Sequence, residues 1–289
     1  MRPLRFITLS TIALCAMAIA PGCKKSVDLK TPDAKTVSNE DDAKIAATDA
    51  IFSAADQNEI IYAFAPASAK QSSSFASANG SSCPPVTTYK PAPNVYPREE
   101  TVDYGSGCTS SEGITRSGKI IFKYSGDMSL NGSKVITHYS NFYLNGVKIE
   151  GETKMVNKGP NTNGQLVFKL VYDNRKVTQP NGDYSIISGA RKLLKMSTAG
   201  SGYPGFPDGD FRISGSLSYT RSIGGKLDQF TQDITKPLVY KYGCPWVTKG
   251  ILVNTFSDSK TTTLDYGSGT CDSNGTLTTK DGTIIQVTF

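Results

Sequence analysis

Val147-Lys148-Ile149-Glu150-Gly151-Glu152-Thr153-Lys154-Met155 changes side-chain character at almost every step. Val147, Ile149, Thr153 and Met155 fall on one face of an extended chain, and Lys148, Glu150, Glu152 and Lys154 on the other. Side chains repeat every two residues on a strand and every 3.6 on a helix, so the pattern predicts a strand. The same period returns in Phe211, Ile213, Leu217 and Tyr219, set against Arg212, Ser214, Ser216, Ser218 and Thr220. Leu166, Phe168, Leu170 and Tyr172 mark a third strand, and Ile120, Phe122 and Tyr124 a fourth. One apolar and one polar face per strand implies an antiparallel sheet, buried on one side and wet on the other.

Turn chemistry separates these runs. Asn131-Gly132, Asn145-Gly146, Asn163-Gly164, Asn181-Gly182, Gly224-Gly225, Asn274-Gly275 and Asp281-Gly282 supply the positive φ angles of tight hairpins. Successive hairpins make a meander, and an open sheet of on the order of ten strands twists and curls. The expected fold is mainly β: an antiparallel meander forming a strongly curved sheet, half-barrel or sandwich, with one N-terminal helix.

The chain contains a repeat. Cys83-Pro84-Pro85-Val86-Thr87 precedes Thr101-Val102-Asp103-Tyr104-Gly105-Ser106-Gly107-Cys108. Cys244-Pro245-Trp246-Val247-Thr248 precedes Thr263-Leu264-Asp265-Tyr266-Gly267-Ser268-Gly269-Thr270-Cys271. Both copies read C-P-x-V-T, a spacer, T-apolar-D-Y-G-S-G and a cysteine, with cysteine separations of 25 and 27. The shared framing pairs Cys83 with Cys108 and Cys244 with Cys271, each closing a loop worth roughly 3 kcal/mol of chain entropy. Each copy reads as a hairpin followed by another strand, Gly118–Ser125 after the first and Gly282–Phe289 after the second.

The N-terminus has another character. Met1–Arg5 carries two arginines, Phe6–Ala20 is apolar, and Ala20-Pro21-Gly22 leads into Cys23. The order basic, apolar, small is that of an export signal, and the apolar run is too short to span a bilayer. Ala20-Pro21-Gly22-Cys23 resembles a lipobox, which implies removal of residues 1–22 and acylation of Cys23. The alternative is secretion after Ala18-Ile19-Ala20, which would leave Pro21 just past the cut bond. Residues 23–38 are polar and read as a flexible tether. Residues 39–66 form the one helix, with Ser38 as cap, Asp41 three residues on, and an apolar stripe of Ile45, Ile51, Phe52 and Ala55 that covers the open side of the sheet. Residues 67–82 are a low-complexity linker, and 83–289 the β domain.

A resemblance follows from these motifs. Val102-Asp103-Tyr104-Gly105-Ser106-Gly107-Cys108, with Arg116-Ser117-Gly118-Lys119-Ile120 downstream and the ending Leu264–Asp272, is similar to uncharacterised envelope lipoproteins of Bacteroidetes. The resemblance implies an envelope lipoprotein of mainly β structure and no particular activity. Lys24, directly after Cys23, argues against inner-membrane retention, so the expected place is the outer membrane, tethered by lipid.

Removal of residues 1–22 leaves 29 basic and 25 acidic side chains, a net charge of +4. The basic residues are scattered along the chain, without the concentrated patch and stacking aromatics that nucleic-acid binding needs. Expected partners are therefore the membrane through the anchor and an unknown envelope protein or glycan, with no nucleic acid.

Catalytic readings are weak. His138 is the single histidine; it alternates with Ile136, Ser140 and Phe142 on a strand and has no obvious nucleophile or orienting acid. One histidine, with the cysteines used in disulfides, leaves no zinc set. The duplicated Asp103 and Asp265 invite comparison with a shared-proton carboxylate dyad, but Tyr104 and Tyr266 stand where a small hydroxyl residue belongs. Asp208-Gly209-Asp210 and Asp272–Gly275 read as turns, not calcium loops. Tyr203, Phe206 and Trp246 are the candidates for stacking on a sugar. No cofactor is expected, and the reading is a non-enzymatic scaffold or interaction surface; the alternative is a glycan- or lipid-binding protein using the concave face.

Overall fold

The computed structural model describes residues 40–64, 85–109, 114–196, 210–241, 244 and 246–288. Among the described residues one helix, α1 (Glu40–Phe64), precedes fourteen strands. The first margin holds β1 (Val86–Lys90), β2 (Arg98–Asp103), the short β3 (Cys108–Thr109) and β4 (Thr115–Tyr124). The middle is β5 (Lys134–Leu144), β6 (Val147–Pro160), β7 (Leu166–Thr178), β8 (Tyr184–Lys195), β9 (Phe211–Ile223) and β10 (Lys226–Tyr240). The far margin is β11 (Val247–Phe256), β12 (Thr261–Ser268), β13 (Asn274–Thr278) and β14 (Ile284–Thr288).

All fourteen belong to one open antiparallel sheet whose spatial order follows the chain, with β3 alone off the path, against β4. The expected alternation holds. Val147, Ile149, Thr153 and Met155 are buried, as are Phe211, Ile213, Leu217 and Tyr219. Six of the seven expected turn pairs close hairpins. The exception is Asn274-Gly275, which opens β13 and pairs with Thr288 and Val287 of β14. The strand expected after the second repeat, within Gly282–Phe289, is β14, and an additional strand, β13, precedes it, with Asp281-Gly282 in the turn between them.

Both repeat copies are margin hairpins, β1–β2 and β11–β12, as their shared motif requires. Cys244 and Cys271 are bridged with Cα atoms 5.8 Å apart. Cys108 is disulfide-bonded; Cys83, its expected partner, lies outside the described residues, as do Cys23 and the tether.

The sheet curls around α1. Asp42 accepts from the amide of Lys280, just past β13, while Glu59 meets Arg175 on β7 and Thr153 on β6. Seven strand steps separate β6 from β13, about 34 Å in a flat sheet. The helix between Asp42 and Glu59 covers only about 26 Å, so the strands must wrap inward. Bulges supply the bend. Register slips occur at Ser117/Lys119, His138/Phe142, Glu150/Glu152 and Tyr172/Arg175 on β4 to β7. At this crease a Cβ on Gly118 would sit 1.9 Å from the Asn141 carbonyl oxygen, and one on Gly151 2.8 Å from the Cα of Arg175. Only glycine admits so close an approach at those positive φ angles.

The crease corrects one reading. His138 and Phe142 were expected on one face, but the bulge at Asn141, with φ 46°, turns Phe142 into the core while His138 stays on the outer face. A second correction concerns charge. Basic residues that are scattered along the sequence gather into rows on the outer face of the sheet, because register aligns residues distant in the chain.

Candidate functional site

The concave face is occupied. Ile45, Ala46, Ile51, Phe52, Ala55 and Ile60 of α1 join the single hydrophobic core, so the helix covers the open side as expected. The same helical face also carries acids. Asp42, Asp49 and Asp56 recur every seven residues, and with Glu59 all are under a tenth exposed.

Strands β7 to β11 answer them. Arg175 bridges two carboxylates, Nη1 to Asp56 Oδ1 at 2.7 Å and Nη2 to Glu59 Oε1 at 2.8 Å, while Tyr172 donates its hydroxyl to Asp56 Oδ2 at 2.7 Å. Arg191 approaches the same carboxylate at 3.8 Å and donates to Gln232. Gln232 in turn donates to Asp49 at 2.8 Å, and Asn254 joins them at 3.4 Å. Aromatic rings enclose the cations: Phe52 lies 4.9 Å from the Arg175 guanidinium and 5.5 Å from that of Arg191. At the far end Arg221 pairs with Asp228 at 2.9 Å, over Phe230 and Phe256.

Burial penalises charge on these acids, and their partners only partly offset it. Asp49 is pushed up to about 6, chiefly by burial, against the hydrogen bonds from Gln232 and Asn254 and the charges of Arg191 and Arg221. Glu59 is pushed up to about 8, by burial first, with Arg175 opposing and the Asp56 charge adding. Asp56 is raised as well, by burial against Arg175 and Arg191. Tyr172 and Tyr219 are raised well above 10 and stay neutral.

A carboxyl whose pKa is higher when docked takes up a proton on docking. The helix is therefore held best below the acids' ordinary values and loses stability as pH rises through about 6 for Asp49 and about 8 for Glu59. Exchange protection of the α1 amides, corrected for intrinsic rates, should fall between pH 5 and pH 9. Glu59→Gln should flatten the upper part of that fall. A rise of protection with pH would contradict the assignment.

Among the described residues, open space is found at the rim. A cleft of about 330 Å³ opens between α1 and the hairpin turns, with Ile51, Val147 and Val177 as floor and Gln179, Asp183 and Tyr184 at the mouth. The other expected positions serve turns and core. Asp103 accepts from Gly105 at 2.8 Å and pairs with Lys119 at 2.9 Å. Asp265 accepts from Gly267 at 2.8 Å. Each Asp thus holds its own turn, and eight strands separate β2 from β12 in the sheet. His138 Nδ1 lies 3.6 Å from Glu152 on the outer face. Trp246 packs against the core edge. Asp272 accepts from Asn274 at 3.0 Å in a turn. Tyr203, Phe206 and Asp208 lie outside the described residues. Among the described residues no three His, Cys, Asp or Glu side chains converge to hold a metal ion.

Sequence reading missed the buried acid–arginine set, although the seven-residue spacing of Asp42, Asp49 and Asp56 on the stripe of Ile45 and Phe52 was a usable signal. Comparison of the chain with protein-family models, with curated proteins and with solved structures gives no match.

Proposed function

We propose that the protein is a non-enzymatic lipoprotein of the bacterial outer membrane, tethered through an acylated Cys23, whose curled sheet is a rigid scaffold with its outer face as the working surface. The observation that carries this reading is the seating of α1. Apolar and charged groups of the helix match the concave face, so the inner surface is taken by the chain itself. The alternative, a glycan or lipid held in the concave face, would have to fit the rim cleft or displace the helix.

Intact-mass analysis of the native protein, with and without reductant, tests the anchored reading. The expected result is a mature chain beginning at Cys23, heavier than its polypeptide by the acyl groups, which takes up the hydrogens of two disulfides on reduction. An unacylated chain beginning at Pro21 would refute the anchor. A second measurement tests the anchor: Cys23→Ser should abolish the acyl mass without changing the thermal unfolding of the folded domain.

A further inference from the structure

The outer face carries two adjacent rows of cations. Register places Lys134 opposite Val156, Val156 opposite Lys169, Lys169 opposite Lys192 and Lys192 opposite Ser214, a row from β5 to β9. Two residues along, Leu194, Arg212, Val239, Lys249 and Ser268 form the second row, from β8 to β12. Each of these cations is exposed beside buried neighbours, as Lys169 is between Phe168 and Leu170 and Lys192 between Arg191 and Leu193. They point away from α1.

Three features distinguish this strip from an ordinary solvated face. Lys169 and Lys192 are direct cross-strand partners, an arrangement that costs stability unless an anion lies between them. Among the described residues none of Lys134, Lys169, Lys192, Arg212, Lys236 and Lys249 makes an ion pair. The strip also runs into a groove of about 360 Å³ whose wall carries Arg212, Lys236 and Lys249, over Val239 and Ile251. Asp265 stands at the groove edge, with Oδ1 held by the amide of Gly267.

From Lys134 to Lys249 the strip crosses six strand steps, about 29 Å of arc. The arc is convex. A flat bilayer would touch it over a few strands only, whereas a linear polyanion can follow it, with cations recurring every one or two strands. No Phe, Tyr or Trp lies in either row, so there is no platform for stacked bases, while Ser214 and Ser268 extend the rows with hydroxyls suited to sugar. We propose that this strip binds a linear acidic polysaccharide, one bearing uronate or sulfate groups, along the outer face. The proposal rests on the outer face being the working surface and is independent of the acyl anchor.

The test uses the full native protein in detergent, with soluble polygalacturonate as probe and dextran as the neutral control. Polygalacturonate is expected to bind, to be released by salt as screening sets in, and to leave dextran unbound. Lys169→Glu with Lys192→Glu and Lys249→Glu should raise Kd at least roughly tenfold, and the milder set Lys169→Gln, Lys192→Gln and Lys249→Gln should weaken binding with an unchanged unfolding midpoint. Reversal of Lys226, at the start of β10, and of Lys260, in the turn between β11 and β12, both away from the strip, should leave Kd unchanged. Absence of polygalacturonate binding, equal loss on reversing Lys226 and Lys260, or tighter binding to phosphatidylglycerol vesicles or single-stranded DNA would each overturn the proposal. Because the polymer is soluble, these outcomes do not depend on whether Cys23 carries lipid.

Discussion

Replacement of Arg175 by methionine is expected to destabilise the fold by about 3–5 kcal/mol. Arg175 has no exposed surface and contacts the carboxyls of Asp56 and Glu59 together. Its loss leaves two carboxyls buried, with only the more distant Arg191 near Asp56. Glu59 is already close to neutral, so most of the cost falls on Asp56, which must protonate or draw water inward. Urea unfolding monitored at constant m should show the loss as a lower midpoint. Adding Asp56→Asn to Arg175→Met should recover part of it, since breaking a buried pair costs more than removing both charges. A destabilisation below about 1 kcal/mol would mean that the helix is not seated by this set.

Phe52→Ala is the second large effect, also about 3–5 kcal/mol. The ring is 1% exposed and lies 5.3 Å from Tyr172 and 6.4 Å from Tyr219. It also forms the apolar wall for Arg175 and Arg191, so truncation opens a cavity and admits water to two buried guanidinium groups. Those neighbours come from β7, β8 and β9 and cannot collapse together without unbending the sheet. The midpoint of chemical unfolding reads the total. Amide exchange separates its parts: protection in α1 should fall furthest, with β7 to β9 following.

The strands were legible because burial on one face writes a period of two into the chain, and the hairpins because Asn-Gly and Asp-Gly tolerate positive φ. The bulges were not. Strict alternation from Tyr172 would place Arg175 on the outer face; a bulge at Asn174, φ 49°, turns it inward instead. A single inserted residue changes which face a side chain serves, and no local composition announced it. The acid stripe of α1 was readable in principle, but carboxylates on a helix are ordinarily solvated, and only the arginines across the sheet make burial possible. The basic strip was hidden for a related reason. Lys169 and Lys192 are far apart in sequence and become neighbours only once the β7–β8 register is set.

The distant contacts of α1 set an order of events. Asp42 is joined to Lys280, 238 residues later in the chain, and Asp49 to Asn254, 205 residues later. The meander can zip hairpin by hairpin through local closures, but the helix has no complete seat until the far margin exists. The first element of the domain is thus the last to settle, after waiting through the assembly of nearly every strand. Any state in which the helix is unseated leaves the apolar inner wall open, and that exposed wall favours self-association.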